Sequence, residues 1–172
     1  MSTIGSNTGE NKESDESDKD ENEKDILSIC FNPSTFAAAI YDQKASKIVL
    51  MCDKNSIRRG NCLIKLISQI DPTFLLIRET QFDLIFEHLK DWKIDESVFL
   101  KRLPNSFYDV KAAKNKIQQL VDAKTESNLF KSTEVPLIQA TGALLKHLEQ
   151  LADGQTNPKL MYPILGFDRI NM

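Results

Sequence analysis

The stretch ILSICFNPSTFAAAIYDQKASKIVLMC, residues 26 to 52, predicts the centre of the fold. It contains three apolar runs of strand length, at 26–31, 36–41 and 47–52. The segments between them, Asn-Pro-Ser and Asp-Gln-Lys-Ala-Ser, are rich in turn-forming residues. Loops this short join antiparallel neighbours, so the three strands are expected to form a meander. The alanines of the second strand leave room for another element to pack closely against it.

Beyond the meander, helical and strand patterns alternate along the chain. Helical spacing of apolar residues predicts helices over 58–70, from Thr80 through Leu89 with Phe86 facing inward, over 108–121 and over 134–152. A continuous apolar run predicts a strand at 74–77, and SVFLKR predicts another at 97–102. The polar residues 122–134 are expected to form a loop. A hairpin set followed by strand–helix crossovers predicts an α/β fold: a mixed sheet with flanking helices, in an order similar to the ribonuclease-H-like fold.

The first 25 residues differ in composition from the rest of the chain. They hold nine acidic residues and three lysines, a net charge of −6, whereas the whole chain of 172 residues carries −3. The remaining residues therefore carry about +3. A segment this charged and this poor in apolar residues cannot offset the entropy of ordering, so a disordered acidic tail is predicted over 1–25.

The sequence lacks the signatures of several classes of protein. It has no apolar run near the ~20 residues of a membrane span and no basic or apolar leader, so no membrane partner is expected. It has no phosphate-binding glycine loop of the P-loop or dinucleotide type, so no cofactor-binding residue is predicted. The cysteines Cys30, Cys52 and Cys62 form no C-x-x-C pair, and His88 and His147 stand far apart, so no metal ligand is predicted either.

A nuclease is one alternative that a ribonuclease-H-like fold raises. Such an enzyme holds two divalent ions with several carboxylates from strand ends, and the candidates are Asp42, Asp53 and Glu79. The first strand, however, has Leu27, Ser28, Ile29 and Cys30 where an active enzyme of this fold would carry an acidic residue. No catalytic residue is therefore predicted, and a divergent metal-dependent nuclease is an alternative.

Basic residues give a weak signal for nucleic acid. Positions that could contact phosphates are Lys54, Arg58, Arg59, Lys101, Arg102, Lys111, Lys114 and Lys116. Aromatic residues are not interleaved with them in the way that single-strand binders use. An ordinary solvated surface explains the same pattern.

The C-terminal residues carry a resemblance to a known family. The segments VPLIQATGALLKHLEQ (135–150) and YPILGF (162–167) resemble a helix and a following segment in the MutS homolog 5 branch of the MutS family. In that branch they occur where the connector domain meets the lever helices. The residues that carry the resemblance, and that are expected to be structural or interfacial, are Ala140, Gly142, Leu144, Leu145, Pro163, Leu165, Gly166 and Phe167.

The resemblance implies an organisation and a function. Residues 26–134 would be a MutS connector-like domain, and 135–172 a terminal helix and the start of the lever. The full-length protein would bind branched or mismatched DNA with ATP and magnesium, form a heterodimer with MutS homolog 4, and work on nuclear chromosomes in meiotic recombination. The chain itself would be a connector and partner-interaction module, not an enzyme, with no cofactor of its own. An inactive ribonuclease-H-like interaction domain unrelated to MutS and a mismatch-repair paralogue are further alternatives.

Overall fold

The computed structural model describes residues 25–54, 59–90, 99–152 and 162–170. The predicted acidic tail lies outside the described residues except for Asp25. The described strands form one six-stranded sheet in the order β5-β4-β1-β2-β3-β6. They are β1 (Ile26–Phe31), β2 (Phe36–Asp42), β3 (Lys47–Asp53), β4 (Phe74–Arg78), β5 (Phe99–Leu103) and β6 (Gly166–Ile170).

Helices cover both faces of this sheet. They are α1 (Arg59–Ile70), α2 (Phe82–Lys90), α3 (Val110–Leu120), α4 (Ala123–Leu129) and α5 (Val135–Leu151), with short 3₁₀ turns at Glu79–Gln81 and Asn105–Tyr108. Strand β2 pairs antiparallel with β1 and β3, while β4, β5 and β6 join by parallel pairing. The predicted meander with parallel crossovers is therefore confirmed.

Successive residues of β1 and β4 point to opposite faces of the sheet and belong to two separate hydrophobic cores. Ile26, Cys30 and Leu76 belong to a cluster shared with α3 and α5, whereas Leu27, Ile29 and Leu75 belong to a cluster shared with α1 and α2. This division follows from the two-residue period of a strand. All six residues of β1 are buried because both faces of the central strand are covered.

Helix α5 lies against the middle of the sheet at short range. Ala37 and Ala39 of β2 are fully buried in the core that contains it, as the alanine run predicted. The Ser28 hydroxyl of β1 donates to the Ala140 carbonyl oxygen at 2.8 Å, so the one polar side chain inside β1 is satisfied by the helix.

Gly142 also allows α5 to pack closely against α3. A Cβ built at Gly142 would lie 2.3 Å from the Ala113 Cβ and 3.0 Å from its Cα. The interior glycine of the predicted helix therefore permits a close approach between two helices.

Three features differ from the sequence prediction. Residues 123–129, expected to be loop, form α4, which begins where the Asp122 side chain accepts a hydrogen bond from the Thr125 amide at 2.7 Å. Phe86, expected to face inward, is 45% exposed. Residues 166–170 form an edge strand, which the sequence pattern did not predict.

We predict that Gly142→Ala destabilises the protein. Alanine gains about 1 kcal/mol of helix propensity, but overpacking against the Ala113 backbone costs about 1–3 kcal/mol, so a net loss is expected. Urea unfolding measures it. Gly166→Ala is the matched control, because nothing lies within 4 Å of a Cβ there.

A compensating pair sharpens this test. Ala113→Gly combined with Gly142→Ala exchanges the two residues across the contact and should restore part of the lost stability. A Gly142→Ala protein at least as stable as the natural chain would show that α3 and α5 separate freely at this point.

Candidate functional site

The carboxyl ends of β1, β4 and β5 meet at one edge of the sheet, where parallel strands place their following loops together. Cys30 lies at this end of β1, Arg78 is the last residue of β4, and Asn105 follows β5. The amino-terminal part of α5 covers the same end through Gln139. These side chains define the candidate site.

The cysteine of this site is a buried, protonated thiol. Its Sγ donates to Gln139 Oε1 at 3.5 Å, and Gln139 Nε2 donates in turn to the Tyr108 carbonyl at 3.0 Å. Burial raises the pKa of Cys30 to about 11, and the nearby Arg78 charge offsets only part of that rise. Because a thiolate is the reactive and metal-binding form, Cys30 is poorly suited to either task near neutral pH.

Arg78 is the charged group of the site. Its Nε donates to Asn105 Oδ1 at 2.8 Å, and its guanidinium carbon lies 5.5 Å from the centre of the Tyr108 ring. The Asn105 amide donates to Glu79 Oε1 at 3.3 Å, which holds the loop after β5 beside β4. The Tyr108 hydroxyl is buried and has no hydrogen-bond partner in the described part of the chain, and burial raises its pKa.

The three carboxylates predicted for a nuclease do not converge. Asp42 ends β2 opposite Lys47, whereas Asp53 ends β3 opposite Phe36, so they lie at opposite ends of a seven-residue strand, about 20 Å long. Asp53 and Glu79 follow strands that are three positions apart in the sheet, about 14 Å. Each carboxylate accepts a local hydrogen bond, from the Ala45 amide, the Cys62 thiol and the Asn105 amide respectively.

A pair of divalent ions does not fit the site that the structure describes. At the carboxyl ends of β1 and β4 the polar groups include a protonated thiol, an amide and a guanidinium, with Glu79 as the one carboxylate of the three candidates at this end of β4. Among the described residues, no group of three or more His, Cys, Asp or Glu side chains is placed to hold a metal ion. His147 is a buried residue of α5 whose ring lies 6.3 Å from that of Phe74, and burial lowers its pKa to about 4, so it is neutral.

Cations are distributed unequally between the two edges of the sheet. Near β6, Lys47 pairs with Asp168 at 3.4 Å and Arg169 pairs with Glu134. Near β5, no carboxylate of the described residues lies within ion-pair distance of four cations, which we call the β5 cation group: Arg78, Lys101, Arg102 and Lys146. The basic pattern of the sequence indicates Lys101 and Arg102 as phosphate contacts but does not indicate Arg78 or Lys146.

Arg78 lies over the Tyr108 ring, and two further members of the β5 cation group also lie over aromatic rings. The Arg102 guanidinium carbon is 3.8 Å from the centre of the Phe82 ring, and Lys146 Nζ is 4.4 Å from that of Phe107. Of the other predicted basic positions, Lys116 is engaged by Glu149 at 2.7 Å, Lys54, Lys111 and Lys114 are exposed, and the side chains of Arg58 and Arg59 lie outside the description.

The residues predicted to be structural or interfacial fall into two groups. Those of α5 are all buried: Ala140, Gly142, Leu144 and Leu145. Those of the C-terminal segment lie at the start of β6 and just before it. The Pro163 carbonyl accepts from the Tyr41 hydroxyl at 3.0 Å, the Leu165 side chain is 77% exposed, and Gly166 and Phe167 open the strand.

A buried ion pair fixes β6 to the beginning of α5. Arg169 donates from both terminal nitrogens to Glu134, at 2.6 and 2.5 Å, and also to the Leu129 carbonyl at 2.8 Å. The Glu134 side chain is 1% exposed. Hydrogen bonds from Arg169 lower the pKa of Glu134 to about 2. The pair therefore ties the last described strand to the central helix.

The chain is similar in fold to one solved Holliday junction resolvase, and a weaker match is to a second. The fowlpox virus resolvase, solved with substrate Holliday junction DNA, has a TM-score of 0.51 and 18% identity over 74% of this chain and 98% of its own. The yeast mitochondrial Holliday junction resolvase has a TM-score of 0.37 and 13% identity over 73% of this chain and 82% of its own. The sequence matches no protein-family model and no curated protein.

These comparisons confirm one expectation and correct another. The mixed sheet is ribonuclease-H-like, as the element order predicted. The prediction that the chain is not an enzyme is contradicted, because the fowlpox protein that shares its fold is a resolvase bound to its substrate.

Within the described ranges, no helix is both long and apolar enough to cross a membrane.

We predict that Glu134→Gln lowers the free energy of unfolding near neutral pH and reduces its dependence on pH in the acid range. A carboxyl with a folded pKa near 2 against an ordinary 4.5 contributes stability above pH 4.5 and loses it as the pH falls towards 2. The full contribution is on the order of 3 kcal/mol. Urea unfolding between these pH values should show a steep loss in the natural chain and a smaller one in the variant.

Glu149→Gln serves as the control for this measurement. Its partner Lys116 is on the surface, and such pairs contribute about 0–1 kcal/mol. Equal pH slopes for the natural chain and Glu134→Gln would show that the ion pair with Arg169 contributes nothing.

Proposed function

We propose that this chain binds branched DNA of the four-way-junction kind through its ribonuclease-H-like domain. The observation that carries the proposal is the fold shared with the fowlpox virus resolvase, whose solved structure contains a Holliday junction and which the match covers almost completely. Fold alone does not define a function, so the proposal also needs a surface suited to DNA.

The β5 cation group supplies that surface. Its members have no carboxylate partner among the described residues, so their charge is available to phosphates. Neutralising phosphates with lysine and arginine releases counterions and gives most of the affinity for DNA. The excess charge of about +3 outside the acidic tail favours the same partner.

Cleavage of the junction is a second candidate function. The observation in its favour is that the fowlpox protein is a resolvase. The site offers Glu79 at the carboxyl end of β4, next to Arg78. Asp42 and Asp53 lie too far from it to act with it.

A finer proposal concerns the larger protein to which the chain would belong. The resemblance at residues 140–148 and 163–167 supports a MutS homolog 5-type protein of meiotic recombination. In that form the chain would act on nuclear chromosomes beside MutS homolog 4. ATP and magnesium would be bound by parts of the protein other than this chain.

Removing charge from the β5 cation group should weaken junction binding. The variant Lys101→Gln/Lys146→Gln is expected to bind a four-way junction roughly tenfold more weakly at moderate salt, and its slope of log affinity against log salt should fall by about 2. Gel shift or fluorescence anisotropy over a salt series measures both. The matched control is Lys65→Gln/Lys124→Gln, which removes two exposed lysines from α1 and α4.

Equal losses in the two double variants would mean that binding depends on overall charge and not on the β5 edge. A natural chain that binds the junction no better than linear duplex of equal length would overturn the proposed function.

Junction cleavage (the nuclease form) and membership of a MutS homolog 5-type protein (the MutS form) make different predictions. The nuclease form predicts cleavage with Mg²⁺ or Mn²⁺ that EDTA stops and that Glu79→Gln reduces strongly. The MutS form predicts that purified MutS homolog 4 is retained on the immobilised chain, and that Gly166→Asp/Phe167→Asp loses it. An uncut junction rejects the first form, and absence of retention rejects the second.

A further inference from the structure

Three side chains from two elements form a layered stack on the α2 side of the β5 edge. The Arg102 guanidinium lies 3.8 Å from the centre of the Phe82 ring. The Phe82 and Phe86 rings are stacked, with centres 5.8 Å apart and planes inclined by 14°. Phe82 therefore contacts both Arg102 and Phe86, and Phe86 is the more exposed of the two rings.

The exposed ring of Phe86 is not needed to hold α2 on the sheet. Ile85 and Leu89 of the same helix are 4% and 3% exposed and provide its buried face, whereas Phe86 is 45% exposed. Phe86 lies one turn after Phe82, and Arg102 lies over the Phe82 ring. A half-exposed aromatic ring, stacked on a second ring over which lies an arginine with no carboxylate partner among the described residues, is suited to a flat partner that stacks.

We propose that Phe86 is a stacking site for an unpaired nucleobase of the DNA that the chain binds. This inference rests on the proposed function and specifies a part of the ligand: a base released from pairing near a branch point. Every base has a π face, so stacking on an aromatic side chain requires no particular sequence.

The charged side chains around Phe86 indicate the direction from which a DNA strand would approach. Arg102 lies on the β5 side of the stack, while Asp83 and Glu87 are exposed on the outer part of α2. A phosphate backbone would therefore follow the β5 side and place its base over Phe86 from there. The acidic residues of α2 disfavour a strand that lies along the outer face of the helix.

The test is a cycle that varies both the protein and the DNA. One probe is a forked duplex with short single-stranded thymidine arms, and the other is the same fork with base-free arms. The natural chain should prefer the thymidine fork by about tenfold. Phe86→Leu keeps an apolar side chain but removes the ring, and should bind both forks equally; Phe86→Trp should keep the preference.

Leu84→Ala is the matched control, since Leu84 is 51% exposed on the same helix and has no ring. It should retain the preference for thymidine arms. Unfolding midpoints of all variants show whether they remain folded.

The outcomes separate this inference from the proposed function. If the natural chain binds both forks equally, or if Phe86→Leu retains the preference, base stacking is overturned while DNA binding stands, and α2 becomes a surface for a protein partner. If the natural chain binds neither a fork nor a four-way junction, both proposals fall.

Discussion

The packing of α5 against the centre of the sheet is the constraint on which the other elements depend. The helix is in contact with β1 and β2 on one side and with α3 on the other. The contact with α3 leaves no room for a side chain at Gly142, which meets Ala113, and fully buried alanines of β2 lie in the core that α5 shares with the sheet. The beginning of α5 then positions Gln139 over Cys30, and Glu134, which precedes it, holds Arg169 of β6. One helix therefore sets both the candidate site and the far edge of the sheet.

The sequence predicted those strands and helices that are determined by residues close together in the chain. The meander and the helices α1, α3 and α5 follow from apolar spacing and turn residues within short windows. Helix α4 was missed because AKTESNL has no apolar period, and it depends on the capping side chain of Asp122. Strand β6 was missed because GFDRI becomes a strand only by pairing with β3 and through the bond from Arg169 to Glu134. Such contacts join residues that are far apart in sequence.

The same distinction applies to the candidate site. Sequence could name residue types suited to metal ions, such as Asp42 and Glu79, but the sheet order that separates them is a tertiary property. It could also name Lys101 and Arg102 as basic. It could not show that Arg102 lies over Phe82, which stacks on Phe86 of the same helix, because these residues are distant in sequence from Arg102 and meet it only in the folded chain. The helical pattern predicted that Phe86 is buried because Phe86 lies four residues after Phe82. Such spacing does not distinguish the buried face of a helix from the edge of that face.

The geometry of β5 gives a reason why a branched substrate suits this edge better than a straight duplex. Lys101 and Arg102 are neighbours on an edge strand, so their side chains point to opposite faces of the sheet. Arg102 lies over Phe82 on the α2 side, whereas Lys101 shares the side of α5 and acts on the pKa of His147. A straight duplex on one face would engage only one of them. A DNA whose strands diverge at the β5 edge could neutralise both and could offer an unpaired base to Phe86 at the point of divergence.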